Sequence, residues 1–246
     1  MTKYFTNNLS VINLFKKPSK KSEVVTQMIF GESFSISKKT KNWLRVKIKE
    51  DGYKGFIQNK KFCTFLKPTH KIHVLKAKVY KFPNKKKKLN ELSFGSKIKV
   101  TETKGKFLKF LKGWMHKSNV KLINFRDKNP FKKVNLFKNI KYKWGGKTFK
   151  GIDCSALIQI CLNFNNRYCP RDTIDQVRYF KKNINLKSIK KNDIIFWKGH
   201  VALALSNKKV IHAYGPFKKT VVMNLQHTID RIERTAKLKI KKIKRL

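Results

Sequence analysis

A chain of 246 residues has room for one domain of ordinary size beside two small ones, and 40% hydrophobic residues, 19 of them Phe, suffice for packed cores. Sixty-one basic against 13 acidic residues give a net charge of +48, so the surface either meets polyanions or is heavily solvated. No run of about 18 apolar residues offers a transmembrane helix, Met1-Thr-Lys-Tyr-Phe lacks the apolar core of a signal peptide, and four cysteines without paired spacing suit a reducing compartment, so a cytoplasmic protein is expected.

The N-terminal half contains a repeat. Leu14-Phe15-Lys16-Lys17-Pro18, Phe30-Gly31, Trp43-Leu-Arg-Val46 and Gly55-Phe56-Ile57 recur as Val79-Tyr80-Lys81-Phe82-Pro83, Phe94-Gly95, Phe107-Leu-Lys-Phe110 and Gly113-Trp114-Met115, the central words offset by 64 residues. Each copy reads as short alternating strands ended by Gly, Pro or Asn turns, suited to a small barrel. Copy one alone carries Ile48-Lys-Glu50-Asp51-Gly52-Tyr53. An acid beside an aromatic there could hold a substrate ammonium, although a polar hairpin tip explains it as well.

Farther on, Ala156, Leu157, Ile160, Cys161 and Phe164 recur at helical spacing, predicting an amphipathic helix over about 154–165. Cys154 sits in its first turn, where Asp153 or Ser155 can cap and the helix dipole favours thiolate. Cys161, inside the apolar stripe, reads as a small core residue. His200-Val-Ala-Leu-Ala-Leu and Lys209-Val-Ile-His212-Ala213 then predict a hairpin. A loop at Ser206-Asn207-Lys208 would pair residue 202 with 212 and set His200 and His212 diagonally on one face, Cβ atoms about 7 Å apart. Ala202 and Ala204 share that face and leave room for the helix of Cys154, while Val201, Leu203, Leu205 and Ile211 point to the other side. His70, His73, His116 and His227 read as solvated or satisfied side chains.

Taken together, Tyr142-Lys-Trp144-Gly145-Gly146, Gly151-Ile-Asp153-Cys154-Ser155, Pro170-Arg171-Asp172-Thr173, Asn192-Asp193-Ile-Ile-Phe196, His200-Val201 and Ile211-His212-Ala213 resemble, in order and spacing, the NlpC-type cell-wall cysteine peptidases. Ala156 and Asn192 stand where that family usually has Gly. The resemblance implies a papain-like helix on an antiparallel sheet that cleaves peptidoglycan stem peptides, typically between D-glutamate and a diamino acid. It implies Cys154 as nucleophile, His200 as general base, His212 as the residue orienting it, and Tyr142 at the oxyanion site. Asp153, Ser155 and Thr173 would line the substrate cleft, with no cofactor and no metal.

The repeat in turn resembles bacterial SH3-like domains, with Gly55-Phe56 and Gly113-Trp114 as the hallmark word. In relatives so built, the first such domain restricts the cleft to peptides with a free N-terminus, and Glu32 and Tyr53 are the matching residues here. The expected α+β architecture is two small SH3-like β-barrels, 1–66 and 67–122, followed by a papain-like peptidase domain, 123–246, acting on free murein peptides in recycling. The charge raises the reading of a nucleic-acid-binding protein built on SH3-like barrels, and a wall-binding module without catalysis is a third. Lysines spread along both halves favour a solvated surface with nonspecific polyanion binding, and the intact Cys154, His200 and His212 oppose a dead module. The sequence leaves the oligomeric state open.

Overall fold

The computed structural model describes residues 2–246, which cluster into two compact units. One comprises the chain through Lys128 together with Lys147–Phe149 and Phe164–Asn166; the other comprises Asn129–Gly146, Lys150–Asn163 and Arg167–Leu246.

In the N-terminal unit both copies of the repeat fold into short antiparallel strands. Copy one forms a single sheet in the spatial order Val24–Ile29, Val11–Phe15, Lys54–Gln58, Trp43–Ile48, Ser33–Lys39, Tyr4–Thr6 and Cys63–Thr64. Strand alternation sends Leu44, Val46 and Ile48 inward onto Leu14, Met28, Phe34 and Ile57. Copy two encloses Ile72, Val79, Leu92, Leu108 and Met115 between a five-stranded and a three-stranded sheet. Phe30 of copy one enters that second core, edge-on to Phe110 at 5.7 Å. The next residue must be glycine: at Gly31 a Cβ would lie 2.0 Å from the Lys97 carbonyl oxygen. The additional hairpin of copy one has a role in this joint. Glu50 accepts from Ser33 N at 3.1 Å and from Lys97 Nζ of copy two at 2.9 Å.

Two lysines are buried in this unit. Lys71, 2% exposed, gives its ammonium to the carbonyls of Phe125 (2.6 Å) and Phe164 (2.5 Å) and to Asn166 Oδ1 (3.1 Å). Burial first, then the nearby Lys97 and Arg126, pull its pKa down to about 8. Lys147 donates its Nζ to Glu32 Oε1 at 2.7 Å and its backbone N–H to Gln27 Oε1 at 2.9 Å.

The C-terminal unit is built on a six-stranded sheet in the order Lys182–Asn183, Lys242–Arg245, Ile194–Trp197, His200–Ala204, Lys209–Tyr214 and Lys219–Asn224. Every pairing is antiparallel, which leaves the two faces free to be covered by different elements. Three helices accompany it: α1 (Cys154–Phe164), α2 (Thr173–Tyr179) and α3 (Leu225–Ala236). The hairpin has the expected register, with Leu203 opposite Ile211 and Ala204 opposite Val210. Its tenant differs from expectation. Ala202 and Ala204 cluster with Leu225 and Ile232 of α3, whose apolar residues recur at helical spacing and whose first turn Asn224 caps through His227 N. Asn192 has φ +74°, a left-handed conformation that Asn tolerates, which explains a position where glycine is the usual choice. Beside it, Asp193 is fully buried and takes both arms of Arg245, at 2.7 Å each. It therefore pins the last strand to the sheet.

Candidate active site

Cys154 opens α1, and Asp153 just before it organises the helix start. Asp153 Oδ1 accepts from Ala156 N at 2.8 Å, the expected cap, and Oδ2 accepts from Gly145 N at 2.9 Å. That second bond requires the Gly145-Gly146 turn to fold back closely: a Cβ on Gly146 would lie 2.5 Å from the Gly151 carbonyl oxygen. Both carboxylate oxygens also meet the guanidinium of Arg171, Nη1 to Oδ1 at 3.0 Å and Nη2 to Oδ2 at 2.5 Å. Ser155 completes the knot, donating to Asp153 Oδ1 at 3.2 Å and accepting from Arg171 Nη1 at 2.7 Å. Arg171, within the Pro-Arg-Asp-Thr word, is thus the buried counter-charge of the helix start. Thr173 begins α2 and is half-buried, and Gln176 of that helix donates to the Ser155 carbonyl at 3.0 Å.

The thiol does not behave as its helix-start position alone suggested. Burial, then the adjacent Asp153 charge, push the Cys154 pKa up to about 12, while hydrogen bonds from the Val201 and Ser155 backbone N–H groups work the other way. Desolvation outweighs the helix dipole, and the resting group is a neutral thiol. The Val201 N–H brings the sulfur beside the residue that follows His200.

His200 and His212 meet as the register requires, His200 Nε2 lying 2.8 Å from His212 Nδ1. His212 is fully buried, with its ring stacked on Tyr214 at 4.7 Å and 23°. Trp197 and Tyr214 flank His200, at ring distances of 5.8 and 5.7 Å. Burial pulls the His200 pKa down to about 4; burial and the neighbouring His200 pull His212 down to about 3. Both imidazoles are neutral at physiological pH. Tyr142 is half-buried with its ring against Gly215, and its backbone N–H donates to the Lys218 carbonyl at 2.8 Å. Burial pushes its phenol well above the usual range, and the charges of Cys154 and Asp153 act in the same direction. It is a neutral donor close to the thiol.

In the N-terminal unit, Glu32 is 3% exposed and its carboxylate is already occupied: Oε1 holds Lys147 Nζ and Oε2 accepts from Ile29 N at 2.8 Å. The ammonium it meets in this structure is that of Lys147. Tyr53 packs half-buried against the core of copy one. Among the described residues no three His, Cys, Asp or Glu side chains gather to hold a metal ion, and no helix is long and apolar enough to cross a membrane.

A helix-start cysteine and a hydrogen-bonded histidine pair on an antiparallel sheet are the components of a papain-like domain. Residues 139–233 match the NlpC/P60 family, and residues 14–62 match the SH3 domain of bacterial dipeptidyl-peptidases. The chain thus carries an SH3-like N-terminal region followed by an NlpC/P60 domain. The gamma-D-glutamyl-L-lysine dipeptidyl-peptidase of Bacillus subtilis (strain 168) is 24% identical over 232 residues, covering 84% of this chain and 77% of that protein. Dipeptidyl-peptidase 6 of Lysinibacillus sphaericus is 38% identical over 72 residues, covering 29% of this chain and only 27% of that protein. An NlpC/P60 family protein from Bacillus cereus ATCC 10987 has the same fold, with a TM-score of 0.84 at 18% identity and 99% of each chain covered.

Proposed function

We propose that the protein is a cysteine endopeptidase that hydrolyses the γ-D-glutamyl bond to the diamino acid in peptidoglycan stem peptides, acting on free murein peptides in the cytoplasm during wall recycling. The observation that supports this reading is the hydrogen-bonded pair His200–His212 together with the backbone N–H of Val201, the residue after His200, reaching the thiol of Cys154. In this mechanism Cys154 is the nucleophile. Forming a lone thiolate in its buried setting is costly, so the thiol passes its proton to His200 as sulfur attacks the γ-glutamyl carbonyl, and no net charge is created. His200 Nε2 is engaged with His212, which leaves Nδ1 as the basic nitrogen. Tyr142 and the N–H groups at the start of α1 steady the oxyanion. The tetrahedral adduct collapses to a thioester as His200 returns the proton to the leaving amine. Water, deprotonated by the same imidazole, then releases the acid and restores the thiol. Asp153, Ser155 and Thr173 shape the cleft, the first two through their knot with Arg171.

Mass spectrometry of defined muropeptides incubated with the wild-type protein and with Cys154→Ala tests this reading. Cleavage after D-glutamate by the wild type alone supports it; cleavage at another bond, or none, refutes it. The charge of +48 supports a second property, nonspecific association with polyanions, whose affinity falls steeply with salt and shows no sequence preference.

A further inference from the structure

His212 has two ring nitrogens and two partners. Nδ1 faces His200 Nε2 at 2.8 Å, and Nε2 faces Met223 Sδ at 3.4 Å. The three side chains lie on one diagonal across three neighbouring strands. The sequence predicts His200 and His212 as diagonal neighbours on the hairpin, and His212 pairs with Val221, two residues before Met223. Stacking on Tyr214 fixes the plane of the His212 ring, so both nitrogens keep these partners.

One proton lies between the two imidazoles, and it can be carried by either. If His212 carried it on Nδ1, its Nε2 would be a bare buried acceptor facing a sulfur that has no hydrogen to offer. His200 Nε2 would then accept, and its own proton would sit on Nδ1, where a base must be empty. In the alternative, His212 Nε2–H donates to the thioether, bare Nδ1 accepts from His200 Nε2–H, and His200 Nδ1 is free to take a proton. A thioether is a weak acceptor, yet it is the partner the structure gives that nitrogen.

We propose that Met223 is a positioning residue of this site: its sulfur accepts the Nε2–H of His212 and thereby selects the tautomer that leaves His200 ready to act as a base. The inference rests on the reading of His200 as that base. Met223 is half-buried and also lines an open groove whose other lining residues, among them His227, Asp230 and Arg231 of α3, are all charged or titratable.

The test is the tautomeric state of His212, read from long-range 1H–15N correlations of the 15N-histidine-labelled full chain at neutral pH, in the wild type, Met223→Leu and Met223→Gln. Leu keeps the bulk and removes the acceptor; the Gln carbonyl restores one. The expected result is a protonated Nε2 on His212 in the wild type and in Met223→Gln, with a mixture of tautomers in Met223→Leu. On the muropeptide substrate, kcat should fall about fivefold to tenfold in Met223→Leu with KM unchanged, and recover in Met223→Gln, on the scale of a partial loss of general-base catalysis. A wild-type His212 protonated on Nδ1 overturns the inference even if neither variant folds. So does a Met223→Leu spectrum identical to that of the wild type. Because the tautomer is read without substrate, a protein that cleaves no muropeptide refutes the proposed function and leaves this assignment to be judged on its own spectrum.

Discussion

Asp153 and His212 are both nearly closed to solvent, at 5% and 0% exposure, yet they are held by opposite means. Around Asp153 each carboxylate oxygen has a charged partner in Arg171 and a backbone N–H as well. Around His212 nothing is charged: a second imidazole, a thioether and a stacked phenol are its neighbours. The first arrangement fixes geometry, because moving any member exposes a buried charge. The second keeps both rings neutral and in fixed orientation, so that His200 presents a bare nitrogen to which a proton can be passed. A site that must hold a nucleophile still and relay its proton needs one of each.

Chemistry should separate the two halves most sharply. Cys154→Ala is expected to lower kcat/KM about a thousandfold or more, and His200→Ala to come within about tenfold of that, since the pair acts as a unit. Both should leave the thermal midpoint within about 4 °C of wild type, equivalent to about 1 kcal/mol. Residual turnover within tenfold of wild type in Cys154→Ala would remove the thiol from the mechanism.

Arg171→Met should do the reverse and act first on the fold. It leaves Asp153 buried without its counter-charge, and denaturant unfolding should register a loss of about 3–5 kcal/mol. Replacing Asp153 by Asn in the same chain should recover part of it. A single variant as stable as wild type would mean that the ionic knot is not what holds the helix start.

Acid should find the neutral half. The two histidines bind protons near pH 6.5 when unfolded but only near 4 and 3 in the fold, so between these limits the unfolded chain binds more protons. Their contribution to stability is complete above pH 6.5 and is lost as pH falls through that window, by up to about 1.4 kcal/mol per pH unit for each ring. Unfolding curves from pH 7 to pH 4 measure the slope, and His212→Gln should flatten it. An unchanged slope in that variant would show that other groups set the acid limit.

The smallest effect concerns Glu32, which resembles Asp153 in having its charge already answered. With Lys147 on its carboxylate, N-acetylation of a free stem peptide should change kcat/KM by less than about threefold, well below the loss of a charge-assisted contact. A drop beyond tenfold would show that some group does read the substrate amine.

Much of this was legible in the sequence, and the omissions share a cause. The hairpin register follows from a three-residue loop, so the meeting of His200 and His212 could be derived before any coordinates. The repeat and the helix of Cys154 announced themselves by spacing. Arg171 was visible inside a motif, but its partner lies 18 residues away, and nothing local tells a buried guanidinium from a solvated one in so basic a chain. The helix over Ala202 and Ala204 was missed because α3 is mostly charged, its apolar stripe reduced to Leu225, Ile229 and Ile232. The neutral thiol could not be read at all, since local sequence supplies the dipole and only the fold supplies the burial.

Lys71 and Lys147 give the molecule two built-in clocks. Acylating reagents modify exposed amines within moments, and this chain offers dozens. An amine enclosed by the carbonyls of Phe125 and Phe164, or one clasped by Glu32, reacts only when the surrounding packing parts. Burial is the main cause of the lowered basicity of Lys71, so once uncovered it reacts as an ordinary surface lysine does. The lag before a slow-labelling peptide at either position joins the fast ones therefore measures how often the N-terminal unit opens, without a probe having been added.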